Sequence, residues 1–577
     1  MITKPIDHNL CVQKYAKGTD NMVFYSALDV SDGEQVQSTF MIKVRNAEVM
    51  QGFVAAWDAA RALNEKAFAN SSAAGAGAAV AAPTKLSVPR GASVLITSDL
   101  TAIYGAGDIA SAQRVDKVEA AFTAKYGSAP EFFVRAPGRA NIIGEHVDYH
   151  DYGVLPFAIQ NDILLAVQWV PGATDVQASS LNDSFPDVSF PADLSAEVPA
   201  VANAAAWGSY LQCGFKAAFA QKQGSKPSGG MRILVESNLP VAAGVSSSSA
   251  LVVAGALAAN FAFKQDAPHT LDMARAARDA EKAVGTLSGG MDQAACLLGQ
   301  AGNAQFITFK PSLAGAPVPL PLDAAFVIAD CGVPAPKAAD GALKYNKRVV
   351  EGALGVKLVA KKEGRANWAS LNTMQELAAA KGLGSAHPSE VEVFLNSLPE
   401  GELTAAQLEG EEHFGCPLAS LFEGATASVA AVLQADPNAK FSCKARLLHV
   451  LQEAGRVLDA KAALMNGEEG TLQSVGELMN ASHSSLAAQY DCSCPELDAL
   501  VEVARAAGAK GARLVGAGWG GCIIALVQAG SVQAVVDAIK TDYYAAKGRA
   551  DLVESGVFVV SPSAGAAVYT NSEECEM

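Results

Sequence analysis

Four short stretches carry residue types that could do chemistry together. The first runs Arg135-Ala-Pro-Gly-Arg139-Ala-Asn-Ile-Ile-Gly-Glu145-His146-Val-Asp148-Tyr149. Five ionisable groups in fourteen residues, in a Pro/Gly frame after a strand, are too dense for a solvated turn. Glu145, His146 and Asp148 can accept hydrogen bonds from hydroxyls, as sugar recognition requires. Arg139 can stabilise an anion or keep a neighbouring carboxylate ionised. The second, Pro240-Val-Ala242-Ala-Gly244-Val-Ser246-Ser247-Ser248-Ser249-Ala250, lies between a strand pattern and an apolar helix pattern. Small residues at a helix N-terminus let backbone N–H groups reach phosphate oxygens, and the helix dipole favours the anion. A plain N-cap is the structural alternative, but four consecutive serines exceed what capping needs. The hydroxyls can add hydrogen bonds or a metal ligand, and the stretch lacks the Walker A pattern.

The third stretch is Glu281-Lys-Ala-Val-Gly-Thr-Leu-Ser-Gly289-Gly290-Met-Asp292-Gln293. Two glycines before an Asp allow close backbone approach and expose one carboxylate, which could take a proton from a hydroxyl. Glu281 could bind Mg²⁺ as a hard oxygen ligand, while a Gly-Gly turn capped by Asp is the plain alternative. The fourth, Arg513-Leu-Val-Gly516-Ala-Gly518-Trp-Gly-Gly-Cys522, formally contains G-x-G-x-x-G. A strand pattern follows it rather than a helix, so it is a glycine loop between strands and not a dinucleotide fold.

The elements that must position these stretches follow from periodicity. Residues 114–127 read as an amphipathic helix, 163–170 and 231–238 as strands, and 250–263 as an apolar helix. Helices such as 471–490 then alternate with short strands such as 522–527, an α+β pattern in two lobes. Residues 67–92 are Ala/Gly/Ser-rich and end near Pro, too poor in large side chains to offset their ordering entropy. A linker is therefore expected over 67–112, with a separate core able to start near Ser111. Before it, 22–30 and 38–44 alternate as strands and 46–63 has a helical face.

The 577 residues include 43 basic and 59 acidic side chains, for a net charge of −16. That balance argues against nucleic-acid and anionic-membrane surfaces, which need clustered positive charge. Any anionic substrate must meet positive potential built locally. The ten cysteines are scattered, with only Cys492 and Cys494 close, so no zinc site is expected. No secretory signal or bilayer-spanning run is visible, and a cytoplasmic protein with reduced thiols is expected.

In this order the four stretches resemble the motifs of the GHMP kinases and, among them, the galactokinases. The run 138–149 looks like the galactokinase signature, and the likeness continues through Lys344-Tyr345-Asn-Lys-Arg348, Leu478–His483 and Cys494–Asp498. The resemblance implies a two-lobed α+β GHMP kinase fold, with lobes at 113–325 and 326–577. It implies transfer of a phosphoryl group from ATP, with Mg²⁺, to the C1 hydroxyl of galactose. Asp292 would then be the base and Arg139 its charge partner, touching the transferred group. Glu145, His146, Asp148, Gly289 and Tyr345 would hold the sugar. Ala242, Gly244, Ser246, Ser247 and Ser248 would cradle ATP, and Ser248 and Glu281 would serve Mg²⁺. Ala242 departs from the Gly of many relatives and Val245 from their Leu. N-acetylgalactosamine kinases, arabinokinases and silent galactose/ATP sensors share the pattern; Tyr345 favours galactose, and the intact Asp292 and Arg139 favour turnover. Residues 1–66 resemble the closing part of a PH-like Ran-binding domain, which implies a Ran-type GTPase contact.

Overall fold

The structure is a computed structural model describing residues 12–15, 22–29, 36–43 and 93–570, apart from 106–107, 193–197, 199–206, 221–228, 241–243, 264–267, 336–339, 423–426 and 437. The chain divides into two units, Met1–Lys85 and Leu86–Met577. In the first, Val12–Tyr15, Met22–Asp29 and Val36–Lys43 pair as an antiparallel sheet in that order. The last two fall where β alternation placed them; the first carries no comparable pattern. The helix expected over 46–63 lies outside the described residues.

The second unit is built on two sheets. One has seven strands in the order Leu95–Thr97, Ala567–Thr570, Phe132–Asn141, Pro156–Pro171, Gly229–Ser237, Asp175–Ser180 and Val188–Pro191. The other has four, in the order Gly511–Val515, Cys522–Gln528, Ala324–Asp330 and Val557–Val560, all antiparallel. This is the mixed α+β architecture that the sequence pattern implies. The division at 325/326 needs correction, because Ala567–Thr570 from the end of the chain completes the first sheet. Its neighbour Leu95–Thr97 pairs parallel to it, so the linker expected over 67–112 ends before residue 93. The helices Leu100–Tyr104 and Ile109–Tyr126 follow, each capped by an Asp side chain, Asp99 and Asp108. Asp side chains at such caps satisfy orphan N–H groups at the helix start.

These contacts change where the chain can be shortened. Tyr104 lies under the Arg135 guanidinium at 5.5 Å, and Val94 N–H donates to Pro268 O at 3.3 Å. A chain beginning at Leu86 is expected to keep its Tm and kcat/KM. One beginning at Ser111 loses an edge strand, a helix and the Asp108 cap, the last alone costing about 1 kcal/mol. Its Tm should fall by several degrees in thermal melts run beside the full chain, and equal melting would refute this docking.

Helix Ser247–Ala262 is apolar on all sides and correspondingly buried, packed against helix Trp207–Phe219 and the strands Phe132–Asn141 and Pro156–Pro171. Its rigid seat fixes the serine-rich N-terminus. Strand Phe132–Asn141 is buried along its whole length, and its register slips between Pro137 and Arg139. Pro137 has no N–H to donate, and Gly138 is the residue left out of the register at this irregularity. Arg139 rejoins the ladder opposite Ala158.

Candidate active site

A cavity of about 260 Å³ is lined by side chains from all the motif stretches except the serine run, which meets it through Asp292. Asp292 stands in the first turn of helix Met291–Leu298. Its Oδ1 accepts from Arg139 Nε at 2.9 Å and lies 2.8 Å from Arg139 Nη2. Arg139 Nη1 also donates to Gly244 O at 2.5 Å, tying the guanidinium to the serine loop. Ser246 Oγ donates to Asp292 Oδ2.

The serine run divides its labour. Ser246 is the N-cap residue but makes no capping bond, since its hydroxyl is on Asp292; its φ is 64°. Ser249 turns the other way and donates to the buried Glu281 at 2.8 Å. Glu281 also accepts from Gln293 Nε2. Ser247 and Ser248 are half-buried at the helix start. Ser248 and Glu281 are both expected at Mg²⁺; the serine hydroxyl that meets Glu281 directly is that of Ser249. Gln293 and Ser249 went unassigned because a Gln and a fourth Ser carry no signal of their own in a linear pattern. Ala242 lies outside the described residues.

The sugar-type residues gather on the opposite wall. Asp148 accepts from Tyr149 N–H at 3.0 Å and Met291 N–H at 3.3 Å. Burial, and then the nearby Asp292 charge, push its carboxyl up to about 6. Gly289 presses on it: a Cβ there would lie 2.5 Å from both the carbonyl carbon and Cγ of Asp148. Gly289→Ala must therefore displace Asp148, and kcat/KM should fall by about tenfold or more, near 1.4 kcal/mol. Steady-state kinetics check this, and unchanged kinetics would separate Asp148 from the reaction. Tyr345 lines the cavity 5.5 Å from the His146 ring, centroid to centroid.

Two of the expected sugar ligands are already engaged by protein groups. Glu145 Oε1 accepts from Gly516 N–H at 2.8 Å, and Oε2 lies 2.9 Å from Arg513 Nη2 and accepts from Asn141. His146, at φ 64°, bonds Tyr149 Oη through Nδ1 at 3.0 Å and Ala517 O through Nε2 at 3.1 Å. A carbonyl only accepts, so Nε2 carries the proton. Thr286, Ser288 and Lys344 also line the cavity and were given no role from sequence. Ser288 Oγ is buried without a partner among the described residues.

Burial lowers three histidines near this wall: His146 and His150 to about 3, and His449 to about 4. In the unfolded chain they titrate near ~6.5. Their contribution to stability is thus complete above pH ~6.5 and is lost as pH falls toward their folded values. Asp148, raised to about 6, acts in the opposite sense below that pH, but it is one group against three. Tm is expected to fall between pH 7 and pH 5 in a melting series; a rise over that interval would contradict the buried neutral imidazoles.

The glycine loop expected between strands joins Gly511–Val515 to Cys522–Gln528 as an antiparallel hairpin. Gly516, Ala517, Gly518 and Trp519 form part of the cavity wall, and Trp519 N–H donates to Cys492 O at 2.6 Å.

Comparison with known proteins agrees with this arrangement. Family models for the GHMP kinases N terminal domain and the GHMP kinases C terminal match residues 209–300 and 460–545. With the two-sheet fold, these define a GHMP kinase. A third model, the galactokinase galactose-binding signature, matches residues 120–169. The chain is 31% identical to a galactokinase of Dictyostelium discoideum, over 80% of this chain and 95% of that protein. It is 30% identical to a galactokinase of Saccharomyces cerevisiae, over 79% and 95%. The crystal structure of Lactococcus lactis galactokinase complexed with galactose superimposes with a TM-score of 0.58 at 24% identity, covering 79% of this chain and 99% of that one. The chain belongs to the galactokinase family. The three matched models begin at residue 120, and a Ran-type contact through residues 1–66 has no support from these similarities.

Proposed function

We propose that the protein phosphorylates galactose at its C1 hydroxyl, with ATP as phosphoryl donor. The observation that carries this reading is the Arg139–Asp292 pair, held between the serine-rich helix start and a wall of hydroxyl-binding residues. Membership of the galactokinase family supplies the substrate class. Phosphoryl transfer asks the protein mainly for positioning and charge compensation. The N–H groups and hydroxyls at the start of helix Ser247–Ala262 would bind ATP phosphates, drawing on the helix dipole. Asp148 and Tyr345 would hold sugar hydroxyls, with Glu145 and His146 shaping the wall around them. Asp292 would accept the C1 hydroxyl proton, and Arg139 would balance the charge at the transferred group.

Glu281 with Ser248 offers only hard oxygen donors beside the phosphate-binding helix start, and this fits Mg²⁺. When bound, the ion supplies charge neutralisation on the phosphates. Ser249 and Gln293 would hold the Glu281 carboxylate in place for it. Among the described residues no helix is long and apolar enough to cross a membrane. The ATP requirement and the free described cysteines favour the cytoplasm as the place of action.

ADP release by the purified full-length protein, measured over a panel of sugars, tests the reading. Galactose should give the highest kcat/KM. Preference for N-acetylgalactosamine or arabinose would reassign the substrate, and galactose binding without ADP release would make the protein a sensor.

A further inference from the structure

Ser246 occupies the N-cap of helix Ser247–Ala262 without capping it. An N-cap serine ordinarily has extended backbone and accepts the N–H of the second or third helical residue on its hydroxyl. Here φ is 64° and ψ is 37°, the left-handed region that a residue with a Cβ enters at a cost. The hydroxyl is carried off the helix and donates to Asp292 Oδ2. Ser246 is 4% exposed, so this bond to a carboxylate forms largely out of water, where such bonds count most.

The loop that carries Ser246 is held from two sides. Arg139 N–H donates to Val245 O at 3.1 Å, and Arg139 Nη1 to Gly244 O. Across from it, a Cβ on Gly244 would stand 2.6 Å from Val515 O, so the loop lies directly against the end of strand Gly511–Val515. One guanidinium therefore fixes both the loop and the carboxylate that Ser246 meets. A capping side chain would also compete with a phosphate for the first N–H groups of the helix. With its hydroxyl on Asp292, Ser246 leaves those groups clear.

We propose that Ser246 is a positioning residue for Asp292, serving the proton acceptor rather than the ATP phosphates, and that its left-handed backbone is kept for this purpose. The proposal rests on the kinase reading above. Arg139 holds Oδ1 and Ser246 holds Oδ2, so the carboxylate is fixed at both oxygens. A donated hydroxyl also favours the ionised carboxylate, the form that can take the C1 proton.

Ser246→Gly and Ser246→Ala test this in the full-length protein. Glycine suits the left-handed backbone and alanine keeps the Cβ, so a loss common to both variants belongs to the hydroxyl. With galactose and ATP, kcat should fall about ten- to a hundredfold in each, the scale of a misplaced reacting group. KM for ATP should not change. The acid limb of the kcat profile reports the base in the bound complex. It should move up by about one pH unit, because a donor to the ionised form has gone. Arg139, Asp148, Lys344 and Tyr345 share the cavity with Asp292, and Cys296 stands one turn further along its helix; all are unchanged in these variants. Glu145 and His146, also in the wall, keep the bonds described above.

Wild-type kcat or an unmoved acid limb would overturn the assignment. So would a several-fold rise in KM for ATP, which would return the hydroxyl to the phosphates. A double-mutant cycle in denaturant titrations reads the bond without turnover. Ser246→Ala should cost less stability in an Asp292→Ala background than in the wild type. Additive costs would remove the bond and the proposal with it. Wild-type protein that releases no ADP with any sugar would defeat the kinase reading, and the cycle would still decide whether Ser246 holds Asp292.

Discussion

Asp292→Asn is expected to lower kcat by about 10²–10⁴-fold, the usual worth of a general base, while galactose affinity changes little. The substitution is nearly isosteric. Asn retains a carbonyl oxygen where Oδ1 accepts from Arg139. Its amide takes the place of Oδ2, and the Ser246 hydroxyl can rotate from donating to accepting. The fold around Arg139, which is 2% exposed, is therefore kept, and the loss falls on proton acceptance. Single-turnover kinetics and calorimetric titration with galactose separate the two quantities. A variant with kcat near that of the wild type would remove Asp292 from the base role and leave it as Arg139's counter-charge.

Much of this site was legible in the chain because each motif sits at a junction with a strong local signature. Pro137-Gly138 after a run of apolar residues marks where strand Phe132–Asn141 slips its register, and the serine run before an apolar helix marks a helix start. Gly-Gly before Asp292 likewise places a carboxylate on the first turn of a helix. The partners of these groups were not legible. Arg513 was read with the glycine loop, yet its side chain runs back to Glu145 and to the carbonyls of Asn141 and Ile142. Nothing local to either sequence encodes that meeting, which depends on the hairpin Gly511–Gln528 lying against the end of the signature strand. Two strands at one side of the first sheet were missed for a related reason. Leu95–Thr97 and Ala567–Thr570 have three and four residues, too few to show alternation; the second is a strand because it pairs with Phe132–Asn141, and the first because it pairs with the second.

Glu145 shows what such a hidden partner changes. A carboxylate in a sugar signature reads as a hydroxyl acceptor, but this one is 1% exposed and opposite an arginine whose side chain is 0% exposed. Its other oxygen accepts the Gly516 N–H, which anchors the glycine loop to the signature. Glu145→Ala would leave Arg513 buried with carbonyls but without its counter-charge, and would strand the Gly516 N–H. Breaking a buried pair from one side costs about 3–5 kcal/mol. The expected result is a large fall in unfolding free energy in denaturant titrations, with activity lost in proportion to unfolded protein. A double-mutant cycle makes the cause visible. Glu145→Leu combined with Arg513→Met removes both charges, and the pair should be less destabilised than the sum of its single variants. The sugar-ligand role makes the opposite forecast: Glu145→Ala would melt like the wild type, raise the KM for galactose, and show no coupling to Arg513. Buried as it is against Arg513, Glu145 can serve the sugar chiefly by holding the loop Gly516–Trp519 in the cavity wall.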